Sequence, residues 1–399
     1  MLIGIVGKPN VGKSTFFKAA TLADAEIANY PFATIKPNEG VGYVRIKSAA
    51  QDFGKEPNPR EGYYAHGWRF VPVKMIDVAG LVPGAHEGKG MGNQFLDDLR
   101  QADVLIHVID ISGSTNEKGE QVHPGEYNPS DDVKFLEVEL DMWYLGILTK
   151  GWQKFSRTVV QERKEIHLAL GTQLSGLHVT EVMVDHAIKE LNLNKEKPQY
   201  WTEDELKGLA TQLRRRTKPM IIACNKVDIP GADATLERLQ KEFPEYIFIA
   251  CSSESELALK EAAKHEIIDY VPGNNHFTIL NESKLNEKQQ KALMFIKDTI
   301  LTKYGSTGVQ DVIDKSVFTL LEYMAIFPGG VSKLEDSEGR CLPDCFLMPP
   351  NTTALDFAYK LHTDFGKNFI RAIDVRTKRT VGKEHLLQHR DIVEIVAGR

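Results

Sequence analysis

The stretch IGIVGKPNVGKSTFFKAAT, residues 3–21, leads from an apolar run into a predicted helix through two glycines, a lysine and two hydroxyl residues. Gly7 and Gly12 permit the sharp turn, because glycine adopts backbone conformations that other residues avoid. The spacing Gly-x-x-x-x-Gly-Lys-Ser directs backbone N–H groups into a concavity at a helix N-terminus, where unpaired donors and the helix dipole favour an anion. The stretch therefore predicts a phosphate-binding loop, in which Lys13 reaches the β- and γ-phosphates of a nucleotide and Ser14 binds Mg²⁺.

The composition of the 399-residue chain limits what can surround this loop, and its length predicts two or three domains. The net charge of −6 argues against a protein that coats nucleic acid with its whole surface, while local basic patches remain possible. Four cysteines without the spacing of a metal site fit a reducing compartment, and we expect Cys341 and Cys345 to be packed thiols rather than a bridge. We expect neither a membrane span nor a signal peptide, and hence a cytoplasmic protein with no membrane partner.

Short apolar runs predict the strands of an α/β fold. They lie at residues 2–6, 70–76, 104–109, 220–223 and 247–250. Each run is rich in β-branched residues and nearly continuous, as is typical of parallel strands that are covered on both faces. The intervening block at residues 47–69 is polar and rich in glycine and proline, which predicts a surface excursion.

An acidic residue, Asp77, ends the second of these strands, and Gly80 follows three residues later. In P-loop proteins an acidic residue at such a position binds Mg²⁺, usually through water, and the glycine N–H contacts the γ-phosphate. The Asp-x-x-Gly pattern is weak by itself. Its place at the end of a strand predicted to lie beside the first strand makes Asp77 a candidate for the metal site.

The stretch PMIIACNKVD again places polar groups at the carboxyl end of an apolar strand, where open α/β sheets bind ligands. A carboxylate can accept two hydrogen bonds from the N1–H and the amine of guanine, whereas adenine offers no matched pair of donors. Asp228 is therefore predicted to select GTP, Asn225 to brace the loop, and the stem of Lys226 to lie on the base. After the next strand, Ser252 and Ser253 place a backbone N–H near the guanine carbonyl.

These motifs resemble the translation-factor-class GTPases of the Obg superfamily, on the YchF-like branch. The matching stretches are GKPNVGKSTFF, NYPFATIKPNEG, DVAGLVPGAHEGKGMGNQFLDDLRQAD, NPSDDVKFLEVEL and a C-terminal segment. The resemblance makes residues 30–38 the first switch, with Thr34 as the hydroxyl that closes on Mg²⁺ and γ-phosphate. YchF proteins proper carry a base motif ending in Glu and accept ATP. Because Asp228 keeps the guanine form, we do not carry their ATP preference over to this chain.

The C-terminal segment alternates short strands with a helix and polar turns, as expected for a β-grasp fold. Its stretches PPNTTALDFAYKLHTDFGKNFIRAI and DIVEIV resemble a TGS domain, a ubiquitin-like module. Residues 340–399 contain ten Lys and Arg against seven Asp and Glu, a net charge of +3 that fits an RNA or ribosome contact. The basic residues clustered there are Arg371, Arg376, Lys378, Arg379 and Lys383.

The predicted fold class is α/β: a P-loop NTPase of the Ras-like G-domain type with a helical insertion and a C-terminal β-grasp (TGS) domain. The predicted domains are a G domain at residues 1–127 and 218–275, a helical or coiled-coil insertion at 128–217, a helical connector at 276–335 and the TGS domain at 336–399. A helical region is expected from beyond residue 254 to about residue 327, and Thr202 is predicted to cap a helix over residues 202–216. Basic residues of the insertion predict either an RNA-binding face or ordinary solvated surface. They are Arg157, Arg163, Lys164, Arg214, Arg215 and Arg216.

The predicted function is hydrolysis of GTP to GDP and phosphate by a nucleotide-dependent switch on ribosomes or RNA. The nucleotide-binding residues are predicted to be Gly7, Lys8, Pro9, Asn10, Val11, Gly12, Lys13, Ser14, Thr15, Asn225, Lys226, Asp228, Ser252 and Ser253. The metal site is predicted at Ser14, Thr34 and Asp77. The catalytic residues are predicted to be Lys13, Thr34, Gly80 and His86. Turnover should be slow, because Leu81 stands where Ras-type proteins place a water-orienting Gln.

Other readings of the site stay open. Asn10 resembles a residue that holds K⁺ near the phosphates in related GTPases, so K⁺ is a second candidate cofactor beside Mg²⁺. A metabolic P-loop phosphotransferase is one alternative function, although such an enzyme has no use for a guanine-selecting loop. An ATP-accepting YchF-type NTPase is another. The sequence leaves the oligomeric state open.

Overall fold

The computed structural model describes residues 1–22, 38–78 and 99–398. The chain divides into two units, Met1–Phe17 with Met75–Glu254 (unit 1) and Lys18–Lys74 with Ser255–Arg399 (unit 2). Within the described ranges no helix is long and apolar enough to cross a bilayer. All four cysteines are free thiols, which confirms the prediction for Cys341 and Cys345.

Strands and helices alternate along most of the chain. The strands are β1 (Leu2–Val6), β2 (Glu39–Lys47), β3 (Tyr63–Ala65), β4 (Trp68–Asp77), β5 (Val104–Asp110), β6 (Met220–Asn225), β7 (Ile247–Ala250), β8 (Ile268–Tyr270), β9 (Phe277–Ile279), β10 (Met324–Pro328), β11 (Phe346–Met348), β12 (Phe369–Asp374), β13 (Arg379–Val381) and β14 (Ile392–Ala397). The helices are α1 (Lys13–Thr21), α2 (Ser130–Thr149), α3 (Trp152–Gln161), α4 (Ile166–Gln173), α5 (Glu181–Glu190), α6 (Glu203–Thr217), α7 (Ala232–Glu242), α8 (Ser253–Lys264), α9 (Glu287–Phe295), α10 (Val309–Lys315), α11 (Ala354–Leu361) and α12 (Thr363–Lys367).

Unit 1 contains an open parallel sheet. β1 pairs with β5, β5 with β6 and β6 with β7. The end of β4 lies on the other side of β1, where the Val78 N–H donates to the Ile5 carbonyl at 3.0 Å. Every residue of β1, β5 and β6 is buried, which explains their nearly continuous apolar runs. The predicted strands are confirmed to within two residues at each end. Their carboxyl ends meet at one edge, where Gly7, Asp77, Asp110 and Asn225 lie.

Helices α2 to α6 occupy the chain between β5 and β6. The Thr202 hydroxyl caps α6 by accepting from the Glu205 N–H at 3.2 Å, and the Glu205 carboxylate accepts from the Thr202 N–H at 2.7 Å, so the predicted cap is confirmed. The apolar face of α6 packs on α2 through the buried side chains of Leu206, Leu209 and Leu213.

Arg214, one of the basic residues that predicted an RNA-binding face, is not available for RNA. Arg214 is only 1% exposed, because its guanidinium lies between α6 and α2 and binds Asp141 at 2.7 Å. Arg215 and Arg216 also pair with acidic groups, Arg216 with Glu190 at 2.7 Å. These cations stabilise helix packing instead. Other basic residues predicted on the insertion are exposed, so both interpretations remain for Arg157, Arg163 and Lys164.

The C-terminal sheet of unit 2 has the strand order β11-β10-β14-β12-β13, and α11 packs against it through Phe357. Its strand β10 corrects the prediction of helix up to about residue 327. Ala325, Ile326 and Phe327 are buried between β11 and β14. An isolated apolar run of this length does not distinguish a strand from a buried helix segment, so only the sheet partners reveal it.

Residues 47–69 are partly the predicted surface excursion, since residues 51–56 are exposed, but the block also contacts the C-terminal sheet within unit 2. The Asp52 carboxylate binds the guanidinium groups of Arg376 and Arg390, the latter at 2.9 Å. Arg390 also donates to the Ser48 carbonyl at 3.3 Å. The side chain of Arg69, 1% exposed, donates to the Pro343 carbonyl at 2.9 Å. The polar side chains of this block therefore combine exposure with ion pairing within unit 2.

The substitution Asp52→Asn should weaken the contact between residues 47–69 and the C-terminal sheet. Burial raises the pKa of the Asp52 carboxyl, but Arg376 and Arg390 outweigh it and hold the pKa below its ordinary value. The stabilisation is therefore present above about pH 4 and is lost as the pH falls through the lowered pKa. Since the Asp52 side chain is 36% exposed, we expect a loss of only about 1 kcal/mol at pH 7.

Denaturant unfolding at pH 7 and pH 3 measures this effect. The wild type and the Asp52→Asn variant should differ at pH 7 and converge at pH 3. The exposed Asp298 forms no ion pair with the described residues, so Asp298→Asn is the matched control. Equal losses in the two variants would contradict the prediction.

Candidate nucleotide-binding site

The predicted phosphate loop joins β1 to α1 at residues 7–12. Gly7 has φ +153°, and a Cβ there would lie 2.5 Å from the Val108 carbonyl oxygen. Gly12 has φ +93°, and a Cβ there would overlap the side-chain amide of Asn225. Both glycines are therefore required by backbone conformation and by close approach. The Phe16 N–H donates to the Gly12 carbonyl at 2.8 Å and begins α1.

Lys13, Ser14 and Asp77 lie together at the start of α1. The Ser14 hydroxyl donates to Asp77 Oδ2 at 3.1 Å, and Lys13 Nζ lies 3.7 Å from Asp77 Oδ1. Burial lowers the pKa of the Lys13 ammonium, and the charge of Asp77 opposes that shift. Among the described residues Asp77 Oδ1 is a buried acceptor without a hydrogen bond. A hydroxyl beside such a carboxylate is an oxygen donor set that suits Mg²⁺, so these residues fit the predicted metal.

The base loop is tied to the phosphate loop through Asn225. Its Nδ2 donates to the Val11 carbonyl at 2.8 Å, and its Oδ1 accepts from the Ser253 N–H at 3.0 Å. The bracing role predicted for Asn225 therefore has specific partners. The Ser252 hydroxyl donates to Asp228 Oδ1 at 3.1 Å, a side-chain contact that the sequence did not reveal. This bond fixes the carboxylate that is predicted to read the base.

Lys226 has a left-handed backbone, φ +63°, and its ammonium binds Asp110 Oδ2 at 2.8 Å. Asp110 is fully buried and also accepts from Ser112, Ser114 and Thr115, whose hydroxyls lie at 2.5, 2.8 and 2.6 Å. Burial raises the pKa of Asp110, but these four donors outweigh it and lower the pKa. Sequence reasoning missed Asp110. The sequence feature that could have revealed it is its position as an acidic residue at the end of a buried strand, the same position that Asp77 has.

Residues 112–128, which we call the strap, run from the end of β5 to the start of α2. Asn10, predicted as a K⁺ ligand, donates from Nδ2 to the Gly119 carbonyl of the strap at 2.8 Å. Lys8 also reaches the strap, with Nζ 2.8 Å from the Thr115 carbonyl. Pro9, Val11 and Thr15 lie in or beside the same loop.

Three predicted site residues, Thr34, Gly80 and His86, lie outside the described residues, and their roles stay predictions. Within the described ranges no cluster of three or more His, Cys, Asp or Glu side chains could hold a metal by itself.

Family models match three segments of the chain. A model described as 50S ribosome-binding GTPase matches residues 2–136, one described as Obg-like GTPase YGR210-like, G4 motif-containing domain, matches residues 223–330, and a TGS domain model matches residues 338–397. A GTP-binding protein of Methanocaldococcus jannaschii is 50% identical over 99% of each chain.

Two further proteins extend the comparison. The crystal structure of a GTP-binding protein from Pyrococcus horikoshii is 40% identical, with a TM-score of 0.80 over 100% of both chains. A protein named ribosome-binding ATPase YchF, from Buchnera aphidicola, is 30% identical over 92% of this chain and 86% of its own. The predicted P-loop α/β fold with a TGS domain is confirmed. The chain belongs to the Obg superfamily of GTP-binding proteins, on its YchF-like branch.

Proposed function

We propose that this protein hydrolyses GTP to GDP and phosphate and acts as a nucleotide-dependent switch on ribosomes or RNA in the cytoplasm. The observation that carries the nucleotide assignment is the direct contact between the phosphate loop and the guanine loop. Asn225 binds Val11 on one side and Ser253 on the other, so one side chain ties the phosphate loop, the base loop and the start of α8 together. A surface turn that follows a strand by chance has no need of such bracing.

The chemistry assigned to this site is charge stabilisation at the γ-phosphate. Ser14, with Asp77 beside it, would hold Mg²⁺, whose charge would neutralise negative charge on the phosphate oxygens. Lys13 and the N–H groups of the loop stabilise the negative charge that builds up in the transition state. Lys13 lies 3.7 Å from Asp77, so its ammonium would exchange this contact for phosphate oxygens when a nucleotide is bound. Thr34, Gly80 and His86 complete the proposed catalytic set, and Asn10 the proposed K⁺ site.

Single-turnover hydrolysis of GTP, with and without ribosomes, tests this assignment. We expect slow turnover by the protein alone and a faster rate with ribosomes. A metabolic phosphotransferase would instead need a small acceptor, and an ATP-accepting NTPase would prefer ATP in direct competition. Phosphate release that does not exceed the background rate under either condition would contradict the proposal.

A ribosome or RNA contact through the TGS domain has its own support. A relative carries the name ribosome-binding ATPase, and the TGS domain has several exposed cations without an ion-pair partner among the described residues. These are Lys360, Lys367, Arg371, Lys378 and Arg379. Arg376 is different, because it binds Asp52. The unpaired cations can meet phosphate groups without breaking a contact in the protein.

Charge reversal of Arg371, Lys378 and Arg379 to Glu should abolish most of the co-sedimentation with ribosomes. Each cation that neutralises a phosphate releases counterions, so wild-type binding should also weaken steeply as salt rises. Deleting the segment from residue 338 is a poorer test, because β10 ends at Pro328 and would lose its sheet partners. Nucleotide affinity should stay unchanged in the triple variant. Unaltered sedimentation would move the contact elsewhere, for example to Arg157, Arg163 and Lys164.

A further inference from the structure

Lys8 is buried, although the phosphate-loop pattern allows any residue type at its position. It is 5% exposed, and its Nζ lies 2.9 Å from Asp132, 2.8 Å from the Thr115 carbonyl and 3.6 Å from the centre of the Tyr127 ring. Burying an ammonium costs several kcal/mol unless partners compensate for the lost water. The backbone N–H groups of the loop, rather than this side chain, are what the pattern directs at a phosphate. The partners of Lys8 therefore point to a second role.

The carboxylate opposite Lys8 belongs to the first turn of α2. Asp132 is 4% exposed and accepts a hydrogen bond from the Tyr127 hydroxyl at 2.9 Å. Burial raises the pKa of Asp132 and lowers that of Lys8, while their mutual attraction opposes both shifts. Breaking one side of such a buried pair is strongly destabilising, because the other charge is left uncompensated. The pair therefore locks the first turn of α2 to the phosphate loop.

The strap is fixed to both nucleotide loops at further points. A Cβ on Gly119 would lie 2.8 Å from Pro9 Cβ, so strap and phosphate loop are in close contact there. Near the start of the strap, the Thr115 hydroxyl accepts a hydrogen bond from the Lys226 ammonium at 3.1 Å. Movement of α2 would consequently reach the phosphate loop through Lys8 and the base loop through Lys226.

We propose that Lys8 is a positioning residue that couples the helical insertion to nucleotide release through its ion pair with Asp132. The inference rests on the proposed function, since it assumes that the loops bind GDP. With the pair intact, the phosphate loop keeps its shape around the bound nucleotide. A partner that displaces α2 breaks the pair and accelerates nucleotide release.

The test measures the dissociation rate constant of a fluorescent GDP analogue from full-length protein. Lys8→Met and Asp132→Asn should each raise this rate constant about tenfold. The rate constant of the double variant should be close to that of either single variant, because both substitutions remove the same interaction. Lys8→Arg, which keeps the charge, should restore most of the slow release. A residue that only supports folding would lower the unfolding temperature and leave the release rate and the coupling unchanged.

The chain offers a matched control on the same helix. Lys134 and Glu242 form an ion pair at 2.7 Å near the start of α2, and in the described part of the chain neither side chain is bonded to the phosphate loop or the base loop. Lys134→Met should leave GDP release unchanged. If the Lys8 variants fail to fold, Gly119→Ala displaces the strap without touching a charge and should also accelerate release. Additive effects, or wild-type release from a folded Lys8→Met protein, would overturn the inference, whereas a wild type that does not bind GDP would overturn the proposed function.

Discussion

Lys13→Ala is expected to abolish measurable binding of GTP and GDP while the protein stays folded. The Lys13 side chain is 11% exposed, and in the proposed complex its ammonium exchanges Asp77 for the β- and γ-phosphates. Truncating one partner of a buried, hydrogen-bonded charge pair costs about 2–5 kcal/mol. Because each 1.4 kcal/mol is a factor of ten, affinity should fall by roughly two to three orders of magnitude.

The fold should survive because the Lys13–Asp77 contact is long, at 3.7 Å, and Asp77 keeps its hydrogen bond from Ser14. Isothermal titration with GDP and Mg²⁺ measures the loss, and circular dichroism checks the fold. Lys18→Ala is the control, since Lys18 is an exposed lysine on the same helix. Wild-type affinity in a folded Lys13→Ala protein would refute the assignment of the phosphate loop.

The features that were predictable from sequence are those set by neighbours along the chain. Gly7 and Gly12 are recognisable because a strand-to-helix turn needs their backbone conformations. The cap at Thr202 is recognisable because its partner Glu205 is three residues away. Buried parallel strands are recognisable because both of their faces are apolar. Each of these signals is complete within a short window of sequence.

The features that were missed depend on partners far away in the chain. Lys8 and Asp132 are separated by more than a hundred residues, and neither shows locally that it will be buried. Arg214 looks like surface charge until Asp141 is placed beside it. The ion pairs of Asp52 with Arg376 and Arg390 were missed for the same reason. In every case a charge that normally stays in water is compensated by a tertiary contact.

Asp228→Asn should shift nucleotide preference from GTP to xanthosine triphosphate. The Asp228 carboxylate, which accepts from the Ser252 hydroxyl at 3.1 Å, is predicted to accept from the N1–H and the amine of guanine. An asparagine presents one donor to the guanine amine and loses the charge. Hydrogen bonds to charged groups contribute about 1.5–3 kcal/mol each, so GTP affinity should fall by roughly a hundredfold or more. Xanthine carries a carbonyl in place of the amine and accepts from the new amide.

Competition between the nucleotides on wild type and variant measures this change. Ser252→Ala is a useful comparison, because it removes the hydrogen bond that orients the Asp228 carboxylate but keeps the carboxylate itself. It should lower GTP affinity far less than Asp228→Asn does. Both variants keep the hydrogen bond from Asn225 to the Val11 carbonyl. The phosphate loop should therefore keep its shape, and the triphosphate should keep its contacts with that loop. The change should therefore lie in discrimination between bases rather than in general affinity. A wild type that prefers ATP over GTP would show that this loop does not select guanine.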